Sequence, residues 1–136
     1  MNKFLFWNTR GLNARTKQLD VKNLLAKHNC DFIALLETKL QPAQAQHIAR
    51  FIFPNSSFHI NPSGRIFILW NPNSLQIQIT AESTQFCHCE VTHLKEGSSM
   101  DITAVYASIH PTIRQRGHFF GLTSPTSNSP VEDTIG

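Results

Sequence analysis

The chain has 136 residues, of which 40% are hydrophobic and 15% are charged. This composition is ordinary for one folded domain and argues against a collagen-like, coiled-coil or broadly disordered protein. The net charge of +3 permits a nucleic-acid partner but does not demand one, because the lysines and arginines form no run. The longest apolar runs fall far short of the ~20 residues of a membrane-spanning helix. No secretory signal is evident, so we expect an intracellular protein with no membrane partner and no obligate protein partner.

The N-terminal segment predicts a strand, a helix and a second strand. Lys3 to Trp7 is a short apolar run, and "NARTKQLDVKNLLAKHN" has the spacing of an amphipathic helix from about Arg15 to His28. A second apolar run, "CDFIALLE", ends at Glu37. A crossover of this length predicts a βαβ unit with two parallel strands.

The rest of the chain predicts one more helix and a set of strands. Pro42 begins a helical pattern that ends near Phe53. Four strand-like runs follow, separated by turn residues, and they predict an antiparallel meander: "RIFILW", "LQIQITA", "TQFCHCEVTHL" and "MDITAVYA". After Pro111, "TIRQRGHFFGL" weakly favours a helix. We therefore expect a domain over residues 1–122 and an irregular tail over residues 123–136.

Three cysteines cannot all pair within one chain, which is typical of a reducing compartment. The period of two places Cys87, Cys89 and His93 on one face of a strand. A zinc site there is conceivable, but the spacing matches no common zinc module. Buried cysteines in a strand are the favoured interpretation.

Polar residues follow both strands of the predicted βαβ unit. Asn8 ends the first strand and Glu37 ends the second, so their side chains are expected at one edge of the sheet. A carboxylate beside an amide suits Mg²⁺, which takes oxygen ligands and keeps several waters. The amide can orient the carboxylate, and Gly11 lets the backbone turn close to a substrate. The alternative is that both strands end in polar residues because they reach solvent.

Four segments resemble one known superfamily in a consistent order from Lys3 to about Leu122. They are "FLFWNTRGLN", "DFIALLETKL", "GRIFILWNP" and "VYASIHPTIRQ". Together they resemble the endonuclease/exonuclease/phosphatase superfamily, and especially the N-terminal endonuclease domain of plant LINE-type (non-LTR) retrotransposons. The resemblance implies an α/β fold, a four-layer sandwich of two sheets with helices outside.

The resemblance also implies a Mg²⁺- or Mn²⁺-dependent phosphodiesterase that nicks DNA in the nucleus. Glu37 matches the metal-binding glutamate of the family, and Asn8 matches the asparagine that supports it. Tyr106 matches a tyrosine that contacts the scissile phosphate. Arg10 and Lys39 are the expected substrate-binding cations, and Arg65 adds a further positive charge.

The sequence departs from the family pattern in two ways. The family has an asparagine three residues after the tyrosine, and here that position is Ile109, which cannot donate a hydrogen bond to a phosphate. The 136 residues also contain neither the Gly-Asp-Phe-Asn type of segment nor the later Asp-His pair. We therefore expect a truncated fragment that is inactive alone. The alternatives are a non-catalytic retroelement relic with weak metal or nucleic-acid binding, and a phosphatase of the same superfamily.

Overall fold

The computed structural model describes residues 2–106 and, beyond them, the backbone of three short strands. The elements are β1 Asn2–Asn8, α1 Arg15–His28, β2 Phe32–Leu36, α2 Ala45–Ile52, β3 Ser57–Ile60, β4 Ile66–Trp70, β5 Leu75–Glu82, β6 Phe86–His93, β7 Ser99–Val105, β8 Arg114–Gln115, β9 His118–Leu122 and β10 Val131–Ile135. A 3₁₀ turn over Pro42–Gln44 leads into α2. The strands form two five-stranded sheets, in the orders β10-β1-β2-β4-β3 and β5-β6-β7-β9-β8.

The first sheet contains the predicted βαβ unit. β1 and β2 are parallel neighbours, and α1 is the crossover between them, as the sequence predicts. β4 pairs antiparallel with β2, so the "RIFILW" run belongs to this sheet and not to the meander that follows. The prediction of one four-stranded meander is therefore wrong in its first strand. The short edge strand β3 was not predicted, because its four residues carry no clear alternation.

The second sheet is a meander of β5, β6 and β7, extended by β9 and β8. β8 and β9 lie where the sequence weakly favoured a helix after Pro111, so that prediction is wrong. β9 pairs in parallel with β7, and the backbone hydrogen bonds of this pairing stabilise a strand that local propensity does not predict. Likewise, β10 lies within the segment predicted to be irregular and pairs antiparallel with β1.

Two helices cover one face of the first sheet. In α2 the buried residues are Ala45, Ile48, Ala49 and Ile52, at the three- and four-residue spacing of one helix face. Its 3₁₀ lead-in carries a capping box between Gln41 and Gln44. These helices pack on the sheet through side chains that alternate outward from its strands, including Leu5, Leu35 and Phe67. Within the described residues, no helix is both long and apolar enough to span a bilayer.

The second core lies between the two sheets. The first sheet contributes Phe4, Phe6, Phe32, Ala34, Leu36, Ile66 and Ile68, and the second contributes Leu75, Cys87, Cys89, Val91, Ile102 and Ala104. The described residues thus form a helix layer and two stacked sheets, which is the predicted α/β sandwich in part. Successive side chains of β1, β2 and β4 point alternately to the helix layer and to the second sheet, so these three strands contribute to both cores.

The cysteines of β6 are part of this second core. Cys87 and Cys89 are fully buried free thiols, and His93 is nearly buried with its ring 6.3 Å from that of Phe4. The interpretation as buried strand cysteines is confirmed. His93 does not join either thiol in a group that could hold a metal ion, among the residues that the structure describes.

Candidate functional site

The carboxyl ends of the parallel strands β1 and β2 meet at one edge of the first sheet. Asn8 is in register with Leu36, the last residue of β2, so Glu37 follows directly beside it. Beyond the strands, the segments that follow β1 and β2 stay hydrogen-bonded to each other. The Thr9 amide donates to the Leu36 carbonyl at 2.9 Å, and the Gly11 amide donates to the Glu37 carbonyl at 2.7 Å. The expected placement of Asn8 and Glu37 at one sheet edge follows from this register.

The backbone at this edge is unusual. Five non-glycine residues in the described part have positive φ, and three of them lie here: Arg10 at 55°, Glu37 at 56° and Lys39 at 54°. The left-handed region is sparsely populated by long side chains, and each such residue costs about 1–3 kcal/mol unless its surroundings impose it. Backbone strain of this kind clusters at functional sites, so its concentration beside Glu37 marks this edge as the candidate site.

The side chains of the site are partly shielded from solvent. The Glu37 side chain is 19% exposed, and one carboxylate oxygen, Oε1, lies 3.6 Å from the Nζ of Lys39. Asn8 is buried, and its Oδ1 accepts a hydrogen bond from the Arg10 amide at 3.2 Å. Arg10 and Lys39 are exposed cations, so the Glu37 carboxylate has a solvent-facing positive charge beside it.

The same edge continues across β4 to the second sheet. Ile66, the first residue of β4, is in register with Leu36. The Arg65 carbonyl therefore accepts a hydrogen bond from the Thr38 amide at 3.2 Å. The Arg65 guanidinium lies over the Tyr106 ring, with Cζ 5.4 Å from the ring centroid. Tyr106 follows β7 and is half-buried, so both sheets contribute to one row of polar groups.

Asn61 holds Arg65 in place and was missed in the sequence. It is fully buried, and its Oδ1 accepts hydrogen bonds from the amides of Arg65 at 3.0 Å and Ile66 at 2.9 Å. Its Nδ2 donates across to the second sheet, to the Ser83 carbonyl at 3.0 Å. The sequence signal was the turn segment "NPSG", since Asn residues in such turns cap neighbouring amides.

The residues at this edge fit a hard divalent cation. A carboxylate and an amide oxygen are the donors that Mg²⁺ and Mn²⁺ prefer, and both elements that carry them are fixed by backbone hydrogen bonds. The structure brings Asn8 and Arg10 together, Glu37 and Lys39 together, and Arg65 and Tyr106 together. Ile109 lies outside the described residues.

Comparisons with known proteins identify the architecture. Neither a protein-family model nor a curated protein sequence matches the chain. Solved structures do match. D. rerio TDP2 complexed with a single-stranded DNA product has a TM-score of 0.60 at 18% identity, over 80% of this chain and 47% of that one. The endonuclease domain of TRAS1, a telomere-specific non-LTR retrotransposon, has a TM-score of 0.56 at 9% identity, over 79% of this chain and 45% of that one.

A third similar structure, from Bacteroides thetaiotaomicron, is described as an endonuclease/exonuclease/phosphatase family protein. Its TM-score is 0.60 at 9% identity, over 77% of this chain and 50% of that one. The chain has the endonuclease/exonuclease/phosphatase fold. It spans about half the length of these structures, with both sheets represented in that half.

Proposed function

We propose that the chain supplies the metal-binding and phosphate-contacting part of a divalent-metal-dependent phosphodiesterase site, of the DNA endonuclease type. One observation carries the proposal: in this fold Asn8 ends β1 and Glu37 directly follows β2, at the same edge of two paired parallel strands. The resemblance of "FLFWNTRGLN" and "DFIALLETKL" to plant LINE-type endonucleases supports a retrotransposon origin, with chromosomal DNA in the nucleus as the substrate.

Each residue of the site has a role in this proposal. Glu37 and Asn8 hold Mg²⁺ or Mn²⁺, which when bound stabilises negative charge on the phosphate. Arg10 and Lys39 bind the DNA backbone through exposed positive charge. The hydroxyl of Tyr106 donates a hydrogen bond to a phosphate oxygen.

These 136 residues alone are proposed to bind without turnover. The sequence has Ile109 in place of a polar residue and contains no Gly-Asp-Phe-Asn type of segment to position water. Removing members of a cooperating catalytic set lowers rates by several orders of magnitude. A retroelement relic and an enzyme fragment would therefore behave alike: both would bind metal and DNA without hydrolysing DNA.

The test is a Mg²⁺ titration by calorimetry, with Glu37→Gln as the variant and Glu90→Gln as its control. Glu90 is an exposed carboxylate in β6, so its loss changes the net charge equally. We expect Glu37→Gln to weaken binding at least about ten-fold, as loss of a metal-site group does, and Glu90→Gln to leave it unchanged. Equal Mg²⁺ affinity in the two variants would overturn the proposed site.

A supercoiled-plasmid nicking assay tests the absence of turnover. We expect no nicking above background with Mg²⁺, Mn²⁺ or chelator, from protein shown to be folded by circular dichroism. Metal-dependent nicking that Glu37→Gln abolishes would keep the site. It would also show that neither a polar residue at position 109 nor a Gly-Asp-Phe-Asn type of segment is needed for turnover.

A further inference from the structure

A second group of potential metal ligands lies at the side of the sandwich where β3 and β5, the edge strands of the two sheets, come together. His59 in β3, Glu82 at the end of β5 and Cys87 in β6 offer one donor atom each, all within 4.8 Å of one another. Among the described residues this is the one such group, and it shares no residue with the Asn8–Glu37 site.

Strand register places all three side chains in the space between the sheets. His59 is in register with Ile68, whose side chain belongs to the core between the sheets, so His59 points to the same side. Cys87 is fully buried in that core. Because β3 and β5 are edge strands of their sheets, the group closes the core at one end.

A β-bulge brings Glu82 to this face. Ile79 pairs with Cys89, but the next pair is Ala81 with His88, which leaves Thr80 as the extra residue. Strict alternation from Ile79 would place Glu82 on the outer face of the sheet. The bulge shifts the alternation by one residue, so Glu82 lies directly opposite Cys87. The Thr80 hydroxyl holds the irregular segment by donating to the His88 carbonyl at 3.2 Å.

Hydrogen bonds between the sheets fix the distance across the group. Asn61, just after β3, donates from Nδ2 to the carbonyls of Ser83 at 3.0 Å and Thr84 at 3.4 Å in the β5–β6 turn. The Ser63 hydroxyl also donates to the Thr84 carbonyl, at 3.1 Å. The strand that carries His59 is thus tied to the hairpin that carries Glu82 and Cys87, so the three donors are positioned before any ion binds.

From this geometry we propose that His59, Glu82 and Cys87 form a Zn²⁺-type site that links the edges of the two sheets. Imidazole, carboxylate and thiolate are the three donor types that zinc accepts, and a thiolate disfavours Mg²⁺. Tetrahedral zinc places its donor atoms roughly 3.3–3.8 Å apart. His59 Nε2 and Glu82 Oε1 are hydrogen-bonded at 2.9 Å, so the ion would take the place of the proton between them. The two atoms would move a few tenths of an ångström apart, and the neutral imidazole would carry its proton on Nδ1.

Binding exchanges a proton for the metal. The thiol of Cys87 is protonated without metal, because burial first and the Glu82 carboxylate second raise its pKa to about 12. Zn²⁺ replaces that proton: an S–H bond is lost, a metal–sulfur bond forms, and one proton passes to solvent with no change of oxidation state. The side chains of His59 and Glu82 are 29% and 26% exposed, so the fourth position of the metal faces solvent.

The test uses Co²⁺ as an optical probe of the 136-residue chain. Co²⁺ bound by a thiolate gives a near-ultraviolet charge-transfer band. Co²⁺ at an all-oxygen site, such as that proposed at Glu37, gives no such band. We expect one thiolate-bound Co²⁺ per chain, displaced by Zn²⁺ and not by excess Mg²⁺. His59→Gln and Glu82→Gln each replace a partly exposed side chain and should weaken binding at least about ten-fold.

Cys87→Ser should abolish the band, and Cys89→Ser is its matched control, since Cys89 is an equally buried thiol two residues along the same strand. Glu37→Gln should leave the band unchanged, which separates this site from the proposed phosphodiesterase site. Absence of the band in the folded natural chain would overturn the proposal. So would an unchanged Co²⁺ affinity in His59→Gln, or a band that disappears in folded Cys89→Ser while Cys87 is present.

Discussion

Arg65 extends its guanidinium over the ring of Tyr106, joining the residue before β4 in the first sheet to the residue after β7 in the second. The contact is a cation–π interaction at 5.4 Å. The Oδ1 of Asn61 fixes the Arg65 backbone by accepting a hydrogen bond from its amide. Arg65 is exposed, so its charge faces the solvent side of the proposed DNA-binding edge. Its carbonyl accepts a hydrogen bond from the amide of Thr38, the residue after Glu37, so Arg65 connects the proposed metal-binding pair to Tyr106.

Arg65→Gln should weaken binding of double-stranded DNA and reduce the salt dependence of that binding. Loss of one phosphate contact lowers the slope of log K against log salt by about 1. The measurement is fluorescence anisotropy over a range of salt concentrations. Arg50→Gln is the control, because Arg50 is an exposed arginine of α2 on the helix layer. An identical change of slope in both variants would mean that DNA binds through net charge alone.

The site was predictable in so far as it depends on strand ends and chain order. The two apolar runs and the helical pattern of the first βαβ unit place Asn8 and Glu37 at one sheet edge, because parallel pairing brings both carboxyl ends together. α1 begins and ends where its amphipathic pattern does. Their roles in metal binding stay predictions.

Other features depend on contacts that local patterns do not encode. The sequence of β4 resembles that of the strands after it, yet β4 pairs with β2. Which sheet a strand joins depends on its contacts with residues distant in sequence. The Thr80 bulge changes which face Glu82 occupies, and no alternation pattern predicts a bulge. The sequence therefore directed attention to Cys87, Cys89 and His93, whereas the structure groups Cys87 with His59 and Glu82.

Lys39 should have opposite effects on the two ligands of the proposed site. Its ammonium lies 3.6 Å from the Glu37 carboxylate and competes with a divalent cation for the same charge. Lys39→Gln should strengthen Mg²⁺ binding roughly two- to five-fold, the range of an exposed ion pair. The same substitution should weaken DNA binding, because a phosphate contact is lost.

Calorimetry for Mg²⁺ and anisotropy for DNA, both at one fixed salt concentration, measure the two effects of the Lys39 substitution. Lys95→Gln is the control, since Lys95 is an exposed lysine in the turn between β6 and β7, at the far end of those strands. If Lys39→Gln weakened Mg²⁺ binding, the lysine would not compete with the metal, and Glu37 would have to bind it from another direction.

Gly64 should be required for the shape of the loop that carries Glu37. Its φ is 72°, and a Cβ added there would overlap the carbonyl oxygen of Leu40. Its own carbonyl accepts hydrogen bonds from the Leu40 amide at 3.0 Å and from the Thr38 hydroxyl at 2.6 Å. An alanine would therefore push apart the two segments that these bonds hold together.

Gly97 provides a matched control for Gly64, because its φ is 74° and a Cβ there would meet nothing within 4 Å. Gly97→Ala should cost only the left-handed conformation, about 1–2 kcal/mol of unfolding free energy. Gly64→Ala should cost about 1–3 kcal/mol more, through overpacking against the backbone. Urea unfolding measures both values, and Mg²⁺ affinity should fall in Gly64→Ala alone. Equal destabilisation by the two substitutions would show that the loop yields to the added methyl group and that Gly64 does not determine the position of Glu37.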